Sequence, residues 1–75
     1  MKLILVAMYD ENSNTVYFRS VSNNRLALKM VTEAREDGYI VAAGAITYEK
    51  SRDRAYLQLK NSLKQKIYEK IKAKI

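Results

Sequence analysis

The stretch that decides the fold is LILVAMY, residues 3–9. Side chains of a strand alternate between its two faces, and here both the odd-numbered and the even-numbered positions are apolar. A strand of this kind lies inside a sheet and is covered on both sides. We therefore predict that residues 3–9 form the central strand of the domain.

Turn and capping residues define the elements that follow this strand. The polar run of residues 10–14 predicts a turn, and the β-branched and aromatic residues of 15–21 predict the second arm of a hairpin. Residues 22–24 are good helix N-caps. The helix that they begin is expected to end at Gly38, because glycine readily takes the left-handed position just past a helix.

The second half of the chain contains one more strand and one more helix. Residues 39–48 are mostly apolar and predict a third strand, in which Gly44 marks a bulge or a close contact. The pattern is then helical to the end of the sequence, with Ser51 or Asp53 as the cap.

Together these elements predict a small α+β domain with the order ββαβα. A crossover helix after the hairpin brings the third strand beside the first, which gives the sheet order 2-1-3. We expect a mixed sheet with antiparallel and parallel pairs. Residues 1–75 are predicted to be a single domain, with a ββαβ core in 1–50 and a long, basic, amphipathic C-terminal helix in 51–75.

The apolar residues of the terminal helix follow a line with steps of four from Leu59 to Ile75. Each step drifts about 40° around the helix, so one flat surface cannot cover both ends of the line. Either the helix wraps around its partner or its two halves meet different surfaces. We expect the first part of the line to join the core and the last part to turn away, where a second copy of the chain or a ligand covers it or it frays as a disordered tail. The predicted interface residues are Ile67, Tyr68, Ile71 and Ile75.

Composition argues against catalysis. The chain has no cysteine and no histidine, the usual thiol nucleophile and general base. Its carboxylates stand mainly at predicted turns and helix ends, and it has no glycine-rich phosphate loop. We predict a non-enzymatic protein without a metal, a small-molecule cofactor or catalytic residues. A domain this small has a thin stability margin, so without disulfides or zinc a homodimer is the expected route to stability.

The apolar N-terminal run does not have the features of a targeting segment. It is far shorter than the roughly 20 residues of a membrane span, and no small-residue cleavage site follows it. With the lack of cysteine, this predicts a cytoplasmic protein.

Positive charge is concentrated at the C-terminus. Residues 60–75 hold six of the 14 Lys and Arg and one of the eight Asp and Glu, so this segment carries +5 of the net charge of +6. The lysines fall on both flanks of the apolar line. A basic block of this kind indicates either a solvated surface beside a dimer interface or contact with a polyanion such as nucleic acid, and lysines that surround the line suit the solvated surface better. The candidate contact residues are Arg52, Arg54, Lys60, Lys64, Lys66, Lys70, Lys72 and Lys74 on the helix, with Tyr17 and Arg19 on the second strand as a base-stacking pair.

Two functions follow from the sequence as alternatives. The first is a regulatory protein that binds another macromolecule as a homodimer and occludes it, a role typical of small phage or mobile-element inhibitors of a host system. The second is a nucleic-acid-binding accessory protein that uses the lysine-rich helix.

Overall fold

The computed structural model of the chain describes residues 1–74. Its elements confirm the predicted order ββαβα. They are β1 (Lys2–Asp10), β2 (Thr15–Val21), α1 (Asn24–Glu36), β3 (Ile40–Thr47) and α2 (Arg52–Lys74).

The three strands form one sheet in the order β2-β1-β3, so the predicted central place of the first strand is confirmed. β1 pairs antiparallel with both neighbours. The predicted mixed sheet is therefore wrong. β2 and β3 do run in the same direction, but they never pair with each other because β1 lies between them.

One helix covers each face of the sheet, which explains why β1 is apolar on both sides. Leu5 faces α2 and Val6 faces α1, and both side chains are 0% exposed. α1 crosses over β1 on its way from β2 to β3, as the crossover in the predicted topology requires. The result is a three-layer arrangement with β1 at its centre.

The ends of α1 are closed by local hydrogen bonds. The Asn23 side-chain oxygen accepts from the backbone N–H of Leu26 at 2.9 Å. At the other end, Gly38 has a φ of 87°, and its N–H donates to Arg35 O at 3.0 Å. The N–H of Tyr39 donates to the carbonyl of residue 34 at 2.9 Å, which completes a Schellman motif. The predicted role of Gly38 is confirmed.

Gly44 marks a close contact rather than a bulge, because the register between β1 and β3 is unbroken. A Cβ atom at this position would lie 3.1 Å from Leu59 Cδ1 and 3.3 Å from Leu63 Cδ2. The absence of a side chain at Gly44 therefore lets α2 lie directly on β3.

The N-cap of α2 is Ser51, whose Oγ accepts from the N–H of Arg54 at 3.2 Å. The prediction that Ile67 turns away from the domain is wrong, since Ile67 is 0% exposed and Ile71 packs against the same core. Ile75 lies outside the described residues. The residues of α2 that are buried on the sheet keep the spacing of four: Ala55, Leu59, Leu63 and Ile67.

Sheet twist explains the error about Ile67. The prediction assumes a flat surface beneath the apolar line, whereas a sheet twists and its surface rotates beneath the helix. A row of residues spaced by four is itself inclined to the helix axis, so it can follow such a surface. The nine residues of β1 also span about 30 Å, enough to support α2 as far as Ile71.

We expect Gly44→Val to destabilise the domain by about 1–3 kcal/mol, because the new methyl groups would press into Leu59 and Leu63. Urea unfolding followed by circular dichroism would measure this loss. Ala45→Val is the matched control, since Ala45 is exposed and points to the opposite face. Its free energy of unfolding should stay within about 0.5 kcal/mol of the parent chain. Equal stability of the two variants would contradict the close contact.

Candidate functional site

The lysines of α2 are divided between two flanks of the helix, as the sequence predicted. Lys60 and Lys64 lie on the flank over β2, where they line a groove with residues of β1 and β2. Lys66 and Lys70 lie on the flank over the outer edge of β3. Lys72 is exposed, and the position of the Lys74 side chain lies outside what the structure describes. The basic helix therefore presents two separate surfaces.

The outer edge of β3 exposes backbone groups in a defined order. Tyr48 N–H donates to Met1 O at 2.9 Å, which shows that even-numbered positions turn their backbone towards β1. Neighbouring residues of an antiparallel strand alternate in direction, so Val41, Ala43 and Ala45 turn their N–H and C=O groups outward. Within residues 1–74 no strand lies beside this edge.

The β3 sequence IVAAGAIT contains no charged residue and no proline. Natural edge strands usually carry such residues, or a bulge, to prevent pairing with other chains. The register of β3 has no bulge either. Instead, Lys70 on α2 reaches over the edge, and its Nζ donates to Val41 O at 2.6 Å. One end of an otherwise open edge is thus held by a side chain.

A groove of about 510 Å³ runs along this edge between the two helices. Most of the side chains that line it are apolar, and they include Leu28 of α1, which is 68% exposed. Three cations, Arg35, Lys66 and Lys70, border it, and none of the described side chains that line it is a carboxylate. We call this groove together with the outward-facing backbone of residues 41–45 the β3-edge site.

The structure does not bring the predicted polyanion-binding residues together on one surface. Tyr17 and Arg19 share a face of β2, as predicted, but it is the face that carries α1, opposite the α2 lysines. Arg52 and Arg54 belong to the first turn of α2, roughly 24 Å or more along the helix axis from Lys70.

The predicted dimer interface is also dispersed. Ile67 belongs to the core, Ile71 is half-buried, and Tyr68 is 47% exposed and lines the groove over β2. Sequence reasoning missed the β3-edge site, although the lack of charge in a strand placed at the sheet edge was a usable signal.

Comparisons with protein-family models, curated proteins and solved structures gave no match to this chain. Across residues 1–74, none of the helices combines the length and the apolar character needed to cross a bilayer. The candidate function therefore rests on the geometry of the chain itself.

Amide hydrogen exchange should show the alternation of β3 directly. We expect the N–H groups of Ala43 and Ala45 to exchange at least about 100-fold faster than those of Ala42 and Gly44, which point to β1. NMR of the free chain at several concentrations would measure these rates. Equal protection of all four amides at high dilution would show that the edge is already paired, contrary to the geometry described above.

Proposed function

We propose that this protein is a non-enzymatic binding module that captures an extended, acidic segment of a partner protein as a fourth strand on the outer edge of β3. The observation that carries the proposal is the β3-edge site, an open strand edge without charge, bordered by three cations. Capture would cover the bound segment and so occlude it from other macromolecules.

Strand addition would use the outward N–H and C=O groups of Val41, Ala43 and Ala45. Backbone hydrogen bonds of this kind supply affinity, and pockets for alternate side chains supply specificity. The small side chains along residues 42–45 leave room for an incoming backbone at the edge.

The groove beside the edge defines the side chains that the partner segment would carry. An apolar residue would cover Leu28 and the neighbouring floor on the α1 side. Carboxylates on the other face of the added strand would meet Lys66 and Lys70, with Arg35 available from α1. An alternating acidic and apolar segment therefore fits the site.

Lys70 gives the site a closed and an open form. In the free chain its ammonium is bonded to Val41 O at 2.6 Å. An arriving strand would replace this donor with its own N–H group, and the released ammonium would pair with a carboxylate of the partner. The bond that protects the free edge is thus exchanged for two interactions with the partner.

A second copy of the chain fits the β3-edge site less well than an acidic partner. Pairing of β3 with β3 would bring Arg35, Lys66 and Lys70 of both copies to one interface, and like charges there cost several kcal/mol. The homodimer remains a prediction from the size of the chain. Size-exclusion chromatography with light scattering tests it, since a monomer at tens of micromolar would contradict it.

The decisive binding experiment uses an acetylated octapeptide of alternating valine and glutamate at low salt. We expect its NMR titration to shift the backbone signals of residues 41–45 and to slow exchange at Ala43 and Ala45. Lys66→Glu with Lys70→Glu should weaken binding at least tenfold, because like charges then face the peptide.

The same helix supplies a matched control. Lys60→Glu with Lys64→Glu makes the same charge change at the same spacing on the other flank, and binding should fall by no more than about threefold. A peptide N-methylated at alternate residues keeps its charge but loses donors, and it should not bind. If both lysine pairs weaken binding equally, or if the methylated peptide binds as well as the parent, strand addition is wrong.

A further inference from the structure

The groove over β2 is a second candidate site, separate from the β3-edge site. α2 packs on β1 and β3, so the face of β2 that carries Phe18 is left partly uncovered. The space between α2 and β2 has a volume of about 370 Å³, which is within the usual range of small-molecule sites.

Two lysines hold their charges above aromatic rings at this groove. Lys60 Nζ lies 5.4 Å from the centre of the Phe18 ring and 6.0 Å from that of Tyr56. Lys64 Nζ lies 6.0 Å from the centre of the Tyr68 ring. Contacts of this kind are electrostatically favourable and limit the positions that a long side chain samples. Both ammonium groups are therefore placed at the groove before any ligand arrives.

Polar groups of the hairpin between β1 and β2 also line the groove. Tyr9 Oη donates to Asn14 Oδ1 at 2.8 Å, and Asn14 has a φ of 53° in the turn between β1 and β2. Thr15 lines the groove beside them, and its hydroxyl donates to Ser13 O at 3.0 Å. Among the described residues, none of the side chains that line this groove is a carboxylate.

We propose that the groove over β2 binds one nucleotide unit, with its phosphate between Lys60 and Lys64 and its base against the ring of Tyr68. Two placed cations select an anion, and an aromatic ring that is 47% exposed offers a stacking surface for a planar base. A bare anion such as inorganic phosphate would contact the two lysines but could not stack on the ring of Tyr68. The bound unit is either a free nucleotide or one nucleotide of a single-stranded nucleic acid.

In this proposal only two of the lysines of α2, Lys60 and Lys64, contact the phosphate. A single strand has a salt slope of about −0.7 for each phosphate that the protein neutralises, so one phosphate held between the two lysines predicts a slope near −0.7. Contact with the whole basic helix would give a far steeper slope.

NMR titration of the full chain at low salt tests the proposal with uridine monophosphate, inorganic phosphate, an oligothymidine octamer and a duplex of equal length. We expect uridine monophosphate and the octamer to shift signals of Lys60, Lys64 and Tyr68. Inorganic phosphate and the duplex should bind at least tenfold more weakly than the nucleotide and the octamer respectively. An octamer that binds more than tenfold tighter than the nucleotide identifies single strands as the source, and similar affinities identify free nucleotides.

Paired variants separate this groove from general attraction to a basic protein. Lys60→Gln with Lys64→Gln should weaken nucleotide binding at least tenfold, whereas Lys66→Gln with Lys70→Gln should change it less than twofold. Tyr68→Leu should weaken nucleotide binding by a larger factor than phosphate binding, because the nucleotide loses its stacking surface and inorganic phosphate loses only the ring contact that helps to place Lys64. The proposal is overturned if both lysine pairs lose nucleotide binding equally, or if the nucleotide causes no shift. It is also overturned if inorganic phosphate binds as well as the nucleotide, or if the duplex binds more tightly than the octamer. None of these outcomes depends on the β3-edge site.

Discussion

The arrangement of this domain depends on the close contact between α2 and Gly44. Because β3 has no side chain at this position, Leu59 and Leu63 settle directly on its backbone. The buried row of α2 then continues over β1 as far as Ile67. In this position α2 covers β1 and β3 and leaves the same face of β2 partly uncovered. Both candidate sites follow from that placement, one at the uncovered strand and the other at the edge beyond β3.

The same contact explains how one lysine-rich helix gains two distinct surfaces. The lysines on the two flanks of the buried row lie over opposite edges of the sheet. On the β2 side, Lys60 and Lys64 meet aromatic rings and polar groups of the hairpin. On the β3 side, Lys70 meets a bare backbone carbonyl. Identical side chains therefore have different chemical surroundings, and the net charge of the helix is a poor guide to what each lysine does.

Sequence patterns predicted the parts of the fold that depend on local or periodic rules. The two apolar faces of β1 indicated its central place, and Gly38 was correctly identified as a helix end. For Gly44 the close contact was one of two alternatives, the other being a bulge. The failures concern relations between elements. Ile67 was assigned to the outside because the sheet was treated as flat, and Tyr17 was grouped with lysines that lie across the sheet. The bond from Lys70 to Val41 joins residues 29 apart, and no periodicity reports such a pair.

The proposed strand addition requires that the hydrogen bond from Lys70 to Val41 O can be displaced from the edge. A hydrogen bond from a charged donor contributes about 1.5–3 kcal/mol at best, and the exposure of Lys70 to water reduces that value. Several backbone hydrogen bonds at about 0.5–1.5 kcal/mol each can outweigh it once a strand aligns along Val41, Ala43 and Ala45. Long-range repulsion between chains of net charge +6 meanwhile disfavours the approach of further copies. In the proposed strand addition, charge would decide which strands reach the edge, and the backbone would then hold the one that arrives.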